Sequence, residues 1–359
     1  MRIGILTGGG DAPGTNAVIR AVTKSLILRD HAQVIGIEDG YMGLVERRVR
    51  PLDQRAVSGV VAIGGTLLGS TNRTSPLDCN GRDLRDDVVA YARELGLAGI
   101  IAIGGDGTMA IAEALHRHGL PTVGVPKTID NDIEGVERSF GFDTAVARAT
   151  EAIDRIQTTG ESLRRVMLVE TMGRHAGWIA LEAAVASGAN VILLPEIGYD
   201  LDAIVQVCRT REAQERFTVI CVAEGAKPRD GQATVRARVE GAPEPERLGG
   251  IAESLARQLQ PLLHSETRAV VLGHVQRGGP PTATDRVLAT QYGCAAAALV
   301  RDGAWGRMVT LQDGRIGHAP LESIAGRRRL VPADHSLLRT ARDIGVSLGR
   351  ASDAASVLA

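Results

Sequence analysis

Lysine is nearly missing from this chain. Of its 41 basic residues, only Lys24, Lys127 and Lys227 are lysines, and the remainder are arginines. Net charge is nearly missing too, since 41 basic against 42 acidic side chains leave −1. That balance argues against a nucleic-acid partner held by bulk charge. Cys79, Cys208, Cys221 and Cys294 have neither CxxC nor metal-ligand spacing, which suits a reducing cytosol and a cytoplasmic protein. No apolar run approaches the roughly 18 residues a membrane span requires, so no membrane partner is expected. Nothing resembles a signal peptide, because Met1 leads directly into a strand and a Gly-rich turn. Repeats of solenoid period and low-complexity tracts are absent as well.

At 359 residues and 44% hydrophobic composition, the chain is long enough for two α/β domains with sizeable cores. Strand-like apolar runs alternate with amphipathic helical patterns, which predicts mostly parallel sheets covered by helices. Strands are expected at Arg2–Thr7, Gln33–Ile37, Gly99–Ile103, Thr122–Val125, Arg165–Glu170, Asn190–Leu194, Phe217–Ala223 and Arg268–Gly273. Helices should begin near Asn16, Asp83, Met109, Thr144, Ala176, Asp202, Gly249 and Asp285. The polar, Pro-rich stretch from Ala226 to Arg247 reads as an exposed excursion. Residues after about Arg327 read equally as helix or as a frayed tail.

Chemistry concentrates where predicted strands end. The first strand runs into Gly8-Gly9-Gly10-Asp11-Ala12-Pro13-Gly14, whose bare backbone N–H groups can approach a phosphate at a helix N-terminus. The same residues also make a plain tight turn, and neither Walker A nor GxGxxG spacing is present. Gly104-Gly105-Asp106-Gly107-Thr108 joins a buried strand to a helix. Asp106 there is either a helix N-cap or a ligand for a Mg²⁺ bridging two phosphates. Similar loops occur in NAD kinases and diacylglycerol kinases, so this one indicates a kinase without naming its substrate.

Pro126-Lys127-Thr128-Ile129-Asp130-Asn131-Asp132 follows the next strand and adds a cation, a hydroxyl and two carboxylates. In an extended segment Thr128, Asp130 and Asp132 point to one side. A carboxylate there can take the proton of an attacking sugar hydroxyl; the alternative is an Asx-turn. Glu170-Thr171-Met172-Gly173-Arg174-His175-Ala176-Gly177 ends another strand. With Arg165, Arg268, His274 and Arg277 it supplies cations at further strand ends, suited either to a sugar phosphate or to a solvated surface.

Together these segments resemble the ATP- and pyrophosphate-dependent 6-phosphofructokinase family from Met1 to about Pro332. The motifs are Gly9–Gly14, Gly104–Thr108, Pro126–Asp132, Met172-Gly173-Arg174 and Leu272-Gly273-His274-Val275-Gln276-Arg277-Gly278-Gly279. The resemblance implies two Rossmann-like three-layer α/β/α domains with the active site in the cleft between them. Residues 1–140 plus about 277–304 would bind the phosphoryl donor; residues 141–276 plus about 305–359 would bind the sugar phosphate. It implies fructose 6-phosphate and a phosphoryl donor as substrates, Mg²⁺, and a homodimer or homotetramer with shared active sites.

Carried over by residue, Gly10, Arg73, Gly105, Asp106, Gly107 and Thr108 look like the donor side, with Asp106 toward Mg²⁺. Asp130 resembles the base on the sugar 1-hydroxyl, with Thr128 and Asp132 beside it; Lys127, Gly107 and Arg174 complete the expected catalytic set. Met172, Gly173, Arg174, Glu224, His274 and Arg277 resemble sugar-phosphate contacts. Arg165 and Arg268 match positions that reach the 6-phosphate from a neighbouring subunit. Lys127 is the residue of pyrophosphate-dependent and mixed-type relatives, whereas Gly107 is the ATP-type residue. The pairing resembles the ATP-dependent, mixed-type actinobacterial branch. Arg20 and Lys24 fit an effector pocket, but Gln54, Gln157 and Asn190 stand where allosteric relatives carry charge. The rival readings are a pyrophosphate enzyme, an ATP enzyme acting on another sugar phosphate such as sedoheptulose 7-phosphate, and an inactive regulatory homologue.

Overall fold

The computed structural model describes residues 1–71, 75–238 and 246–353. These fall into two compact units. One comprises the described residues of Met1–Thr144 and Arg277–Arg329; the other comprises those of Ala145–Val239, Glu244–Gln276 and Leu330–Ala359.

The first unit opens with β1 (Arg2–Thr7), α1 (Thr15–Asp30), β2 (Gln33–Ile37), α2 (Met42–Val45) and β3 (Val49–Leu52). It continues with α3 (Arg85–Glu94), β4 (Gly99–Gly104), α4 (Asp106–Arg117) and β5 (Thr122–Pro126). After α5 (Phe142–Leu163), the second unit brings β6 (Val166–Thr171), α6 (Trp178–Ser187), β7 (Val191–Leu193), α7 (Leu201–Ala213) and β8 (Thr218–Ala223). Next come β9 (Val235–Arg238), β10 (Glu246–Leu248), α8 (Ile251–Leu259) and β11 (Thr267–Val271). The chain then re-enters the first unit with α9 (Ala283–Arg301), β12 (Arg307–Gln312) and β13 (Arg315–Pro320), and later forms α10 (Ser336–Asp343) in the second.

The first sheet has the order β13-β12-β5-β4-β1-β2-β3, antiparallel only at its edge strands β3 and β13. The second has the order β11-β6-β8-β7 and is parallel throughout. The continuous apolar runs have the reason expected of parallel sheets covered on both faces. Every residue of β4, β5, β6 and β8 is buried. Helices α1 and α9 approach closely because Gly293 lacks a side chain; a Cβ there would lie 2.7 Å from that of Ala21.

One boundary differs from the sequence expectation. Residues 305–329 were expected in the sugar-phosphate domain, but β12 pairs in parallel with β5, Arg307 opposite Val123, and so extends the first sheet. Backbone pairing decides this, and no feature of composition foretells it. The polar excursion contributes the antiparallel pair β9–β10, and its residues 239–245 lie outside the described ones. The segment left open after Arg327 contains α10.

Candidate active site

In the first sheet the chain steps from β1 to β2 on one side and later returns as β4 on the other. Open parallel sheets bind ligands beyond the carboxyl ends at such a switch point. Three loops meet there. Gly8 N–H donates to Ile103 O at 2.9 Å, and Lys127 N–H donates to Gly104 O at 2.9 Å. The Gly8–Gly14, Gly104–Thr108 and Pro126–Asp132 segments therefore share one rim, as their strand-end positions predict.

The Gly104–Thr108 loop is tight for a definable reason. A Cβ on Gly104 would come within 2.2 Å of Thr108 Oγ1, so a side chain is excluded. Thr108 is itself buried, and its carbonyl accepts from the Tyr41 hydroxyl at 3.1 Å. Gly105 is the N-cap of α4, and the helix begins at Asp106 rather than near Met109. The N-cap alternative for Asp106 is thereby replaced: it stands in the first turn, accepting from Gly107 N–H at 2.7 Å through Oδ1. Gly107 is exposed, and a Cβ on it would meet nothing within 4 Å. Packing does not require glycine at 107.

Lys127 is buried and donates through Nζ to the Gly10 carbonyl. Burial pulls its pKa down to about 7, helped by the nearby Arg277 charge and opposed by Asp11 and Asp130. Thr128, Asp130 and Asp132 do gather, but not because the segment is extended. The chain bends after Lys127, with Asn131 in the left-handed region (φ 54°). Thr128 Oγ1 accepts from Asp130 N–H at 3.0 Å and donates to Asp132 Oδ1 at 3.1 Å. Asn131 holds the bend by accepting from Ser139 N–H at 2.9 Å. The bend that clusters the carboxylates is thus held by the Thr128 hydroxyl and the Asn131 amide. Burial, followed by the charges of Asp130 and Asp106, raises the Asp132 pKa to about 7. The charge of Asp106 thus reaches the Asp130–Asp132 pair.

Among the described residues, no group of three or more His, Cys, Asp or Glu could hold a metal alone. One exposed carboxylate beside other anionic groups instead suits Mg²⁺, which keeps waters and shares one or two carboxylates with substrate phosphates. A cavity of about 770 Å³ opens beside Gly9, Gly10 and Asp11, lined also by Asp39, Arg48 and Thr66. That is far more room than a diphosphate needs. Arg73 lies outside the described residues.

In the second unit, Met172, Gly173 and Arg174 form the turn beyond β6. Gly173 (φ 138°) is obligatory, since a Cβ would come within 2.5 Å of Ala176 O. Glu224, beyond β8, accepts from Arg174 N–H at 3.0 Å. His274 is exposed beyond β11, so these residues share the carboxyl rim of the second sheet. Sequence reading missed the role of Glu170 in this rim. It is buried and accepts from Gly250 N–H at 2.9 Å and Ala252 N–H at 3.0 Å, fixing the start of α8 to the end of β6.

Three arginines separate from that group. Arg165 precedes β6 and Arg268 lies at the start of β11, both paired with Glu266. They occupy the amino ends of these strands, roughly 17–20 Å from the carboxyl rim at about 3.3 Å per residue. Grouping them with the rim as strand-end cations is therefore corrected by strand direction. Arg277 belongs to the first unit, where Nη1 donates to Asp11 O at 2.7 Å beside Gly10. Two further amides are spent on main chain: Gln157 donates to Ser187 O, and Asn190 Oδ1 accepts from Val219 N–H at 2.9 Å.

The family model described as phosphofructokinase matches residues 2–300. The chain belongs to the phosphofructokinase family. Similar relatives include ATP-dependent 6-phosphofructokinase 2 of Clostridium perfringens, 46% identical over 96% of this chain and 98% of its own. The pyrophosphate–fructose 6-phosphate 1-phosphotransferase of Streptomyces coelicolor is also 46% identical, over 92% and 96%. The fold resembles T-state Pichia pastoris phosphofructokinase with a TM-score of 0.79 at 29% identity, over 90% of this chain. This chain spans 37% of that longer one. Equal identity to relatives with different donors means that overall similarity does not select the donor; particular phosphofructokinase residues must.

Proposed function

We infer that the chain is an ATP-dependent 6-phosphofructokinase, transferring the γ-phosphoryl group of ATP to the 1-hydroxyl of fructose 6-phosphate. The observation that carries the donor assignment is open space at Gly107 on the same rim as the Gly9–Gly10 loop, beside which a cavity large enough for a nucleoside opens. Gly10, Gly105, Gly107 and the N-terminus of α4 would receive the phosphates, and Arg73 and Thr108 belong to the same proposed donor set. The Asp106 carboxylate would hold Mg²⁺, which supplies charge neutralisation across the donor phosphates. Asp130 would accept the proton of the attacking hydroxyl, with Thr128 and Asp132 orienting it. Lys127 and Arg174 would carry positive charge toward the transferring group. Met172, Gly173, Arg174, Glu224, His274 and Arg277 would hold the sugar phosphate. Among the described residues no helix is long and apolar enough to cross a membrane; a cytoplasmic location is part of the proposal. The test of the acceptor is a panel of sugar phosphates with Mg²⁺ and ATP, products identified by ³¹P NMR. Fructose 1,6-bisphosphate should dominate, and a preference for a seven-carbon acceptor would overturn the assignment.

Donor binding is expected to take up a proton at pH 8. With a pKa of about 7, Lys127 is mostly neutral there. A polyphosphate favours the ammonium form, so its pKa rises and a proton enters with the ligand. Calorimetry in buffers of different ionisation enthalpy reads this uptake directly. The Lys127→Met variant should lose it; equal uptake in both proteins would contradict the assignment.

Arg165 and Arg268 are proposed to serve the 6-phosphate of a neighbouring copy in a dimer or tetramer, because they lie at the wrong end of their own sheet. Asp130→Ala and Arg165→Ala homo-oligomers should each be nearly inactive. Reassembled mixtures should recover activity, approaching a quarter of wild type for randomly paired dimers. Mass spectrometry identifies the hybrids, and hybrids without recovery would refute shared sites.

A further inference from the structure

The Arg327-Arg328-Arg329 run lies at the loops of the first unit, outside the residues assigned to the proposed reaction. Its course is fixed by main chain. Arg328 bridges Ile133 in antiparallel fashion, and Arg329 N–H donates to Asp132 O at 2.8 Å. The Arg329 guanidinium adds a bond to Asn131 O at 3.1 Å. This pairing seats the segment against the loop that clusters Asp130 and Asp132. It leaves the Arg328 side chain, one-third exposed, with Nε 3.5 Å from Asp106 Oδ2. A half-exposed pair at that distance adds little stability. The ion pair itself therefore contributes little, while the main-chain pairing with Ile133 places the Arg328 guanidinium beside Asp106.

We propose that Arg328 is a donor-site residue, a guanidinium supplied in cis that neutralises Asp106 in the free protein and pairs with a donor phosphate oxygen in the complex. The chemistry is that of a fork-shaped cation meeting the bridging or terminal oxygens of a polyphosphate. Asp106 would hold Mg²⁺ in the complex, and the Arg328 guanidinium would then be matched by the charge of the donor phosphate. Arg329 is the anchor of this arrangement and Arg328 its working group. The proposal rests on reading Gly104–Thr108 as the donor loop.

The test is calorimetric binding of Mg²⁺ with the non-hydrolysable β,γ-imido analogue of ATP, and separately with methylenediphosphonate, to wild type, Arg328→Gln and Arg328→Lys. Kd for the nucleotide analogue should rise about tenfold in Arg328→Gln, the usual worth of a charge-assisted bond. Arg328→Lys should fall between the two. The KM for fructose 6-phosphate should stay within about twofold, and the melting temperature should be unchanged, as for an exposed pair. Unchanged binding overturns the proposal, and so does tighter binding, which would make Arg328 a mere competitor of Mg²⁺. Equal losses toward both substrates, or a lowered melting temperature accounting for the loss, would reduce it to a structural role. Wild-type binding of diphosphonate but not nucleotide would overturn the ATP assignment instead. The variant-to-wild-type ratio for diphosphonate would then still decide the role of Arg328.

Discussion

Asp130→Ala is expected to lower kcat by ~10²–10⁴, the usual worth of a positioned general base. The side chain is buried at the carboxyl rim, its N–H is fixed by Thr128, and its charge acts on Asp132 and Lys127. In the proposed reaction those contacts would prepare the carboxylate to accept a proton from a hydroxyl whose own pKa is far too high to ionise unaided. Fructose 6-phosphate should still bind with nearly wild-type affinity, because other residues are proposed to hold its phosphate. Steady-state kinetics and equilibrium binding together check this. Turnover close to wild type would remove Asp130 from the mechanism, and a parallel loss of binding would make it a structural residue.

The second large effect is expected at Gly107. An aspartate there fits without steric conflict, since a Cβ meets nothing within 4 Å. Its carboxylate would stand at the first turn of α4, where the proposed donor site would place the α-phosphate of a nucleotide. Gly107→Asp should therefore depress kcat/KM for ATP by about 10²–10³-fold, as a like-charge juxtaposition does. A donor with no α-phosphate escapes the clash, so pyrophosphate activity should rise relative to ATP. Lys127, proposed to carry positive charge toward the transferring group, could serve either donor. Measured kcat/KM for both donors in wild type and variant decides the matter, and an aspartate that leaves ATP kinetics untouched would sink the argument.

The sequence was legible where burial writes continuous apolar runs. Strands β1, β2, β4, β5, β6 and β8 begin or end within about a residue of expectation, as apolar-run reading allows. Strands β12 and β13 escaped because only the middle of β12 is buried and β13 is largely exposed. A usable signal stood between them. Asp313-Gly314 has positive φ at both residues, the hairpin turn that this dipeptide favours. Missing that turn also misplaced the boundary at 305. In the site, residue type and strand-end position sufficed to gather Asp106, Lys127 and Asp130 on one rim. Strand direction was needed to see that Arg165 and Arg268 lie at the opposite end from Met172–Arg174. The contact of Arg328 with Asp106 links residues 222 apart in sequence. No local pattern announces it, because only the pairing of Arg328 with Ile133 brings the run back to the loop.

The central claim is the donor, and one competition measures it most directly. Wild-type protein with Mg²⁺ and fructose 6-phosphate receives ATP and pyrophosphate together at equal concentration. ADP should then form in step with fructose 1,6-bisphosphate, with little pyrophosphate consumed. Orthophosphate release matching the bisphosphate while ATP remains intact would contradict the account.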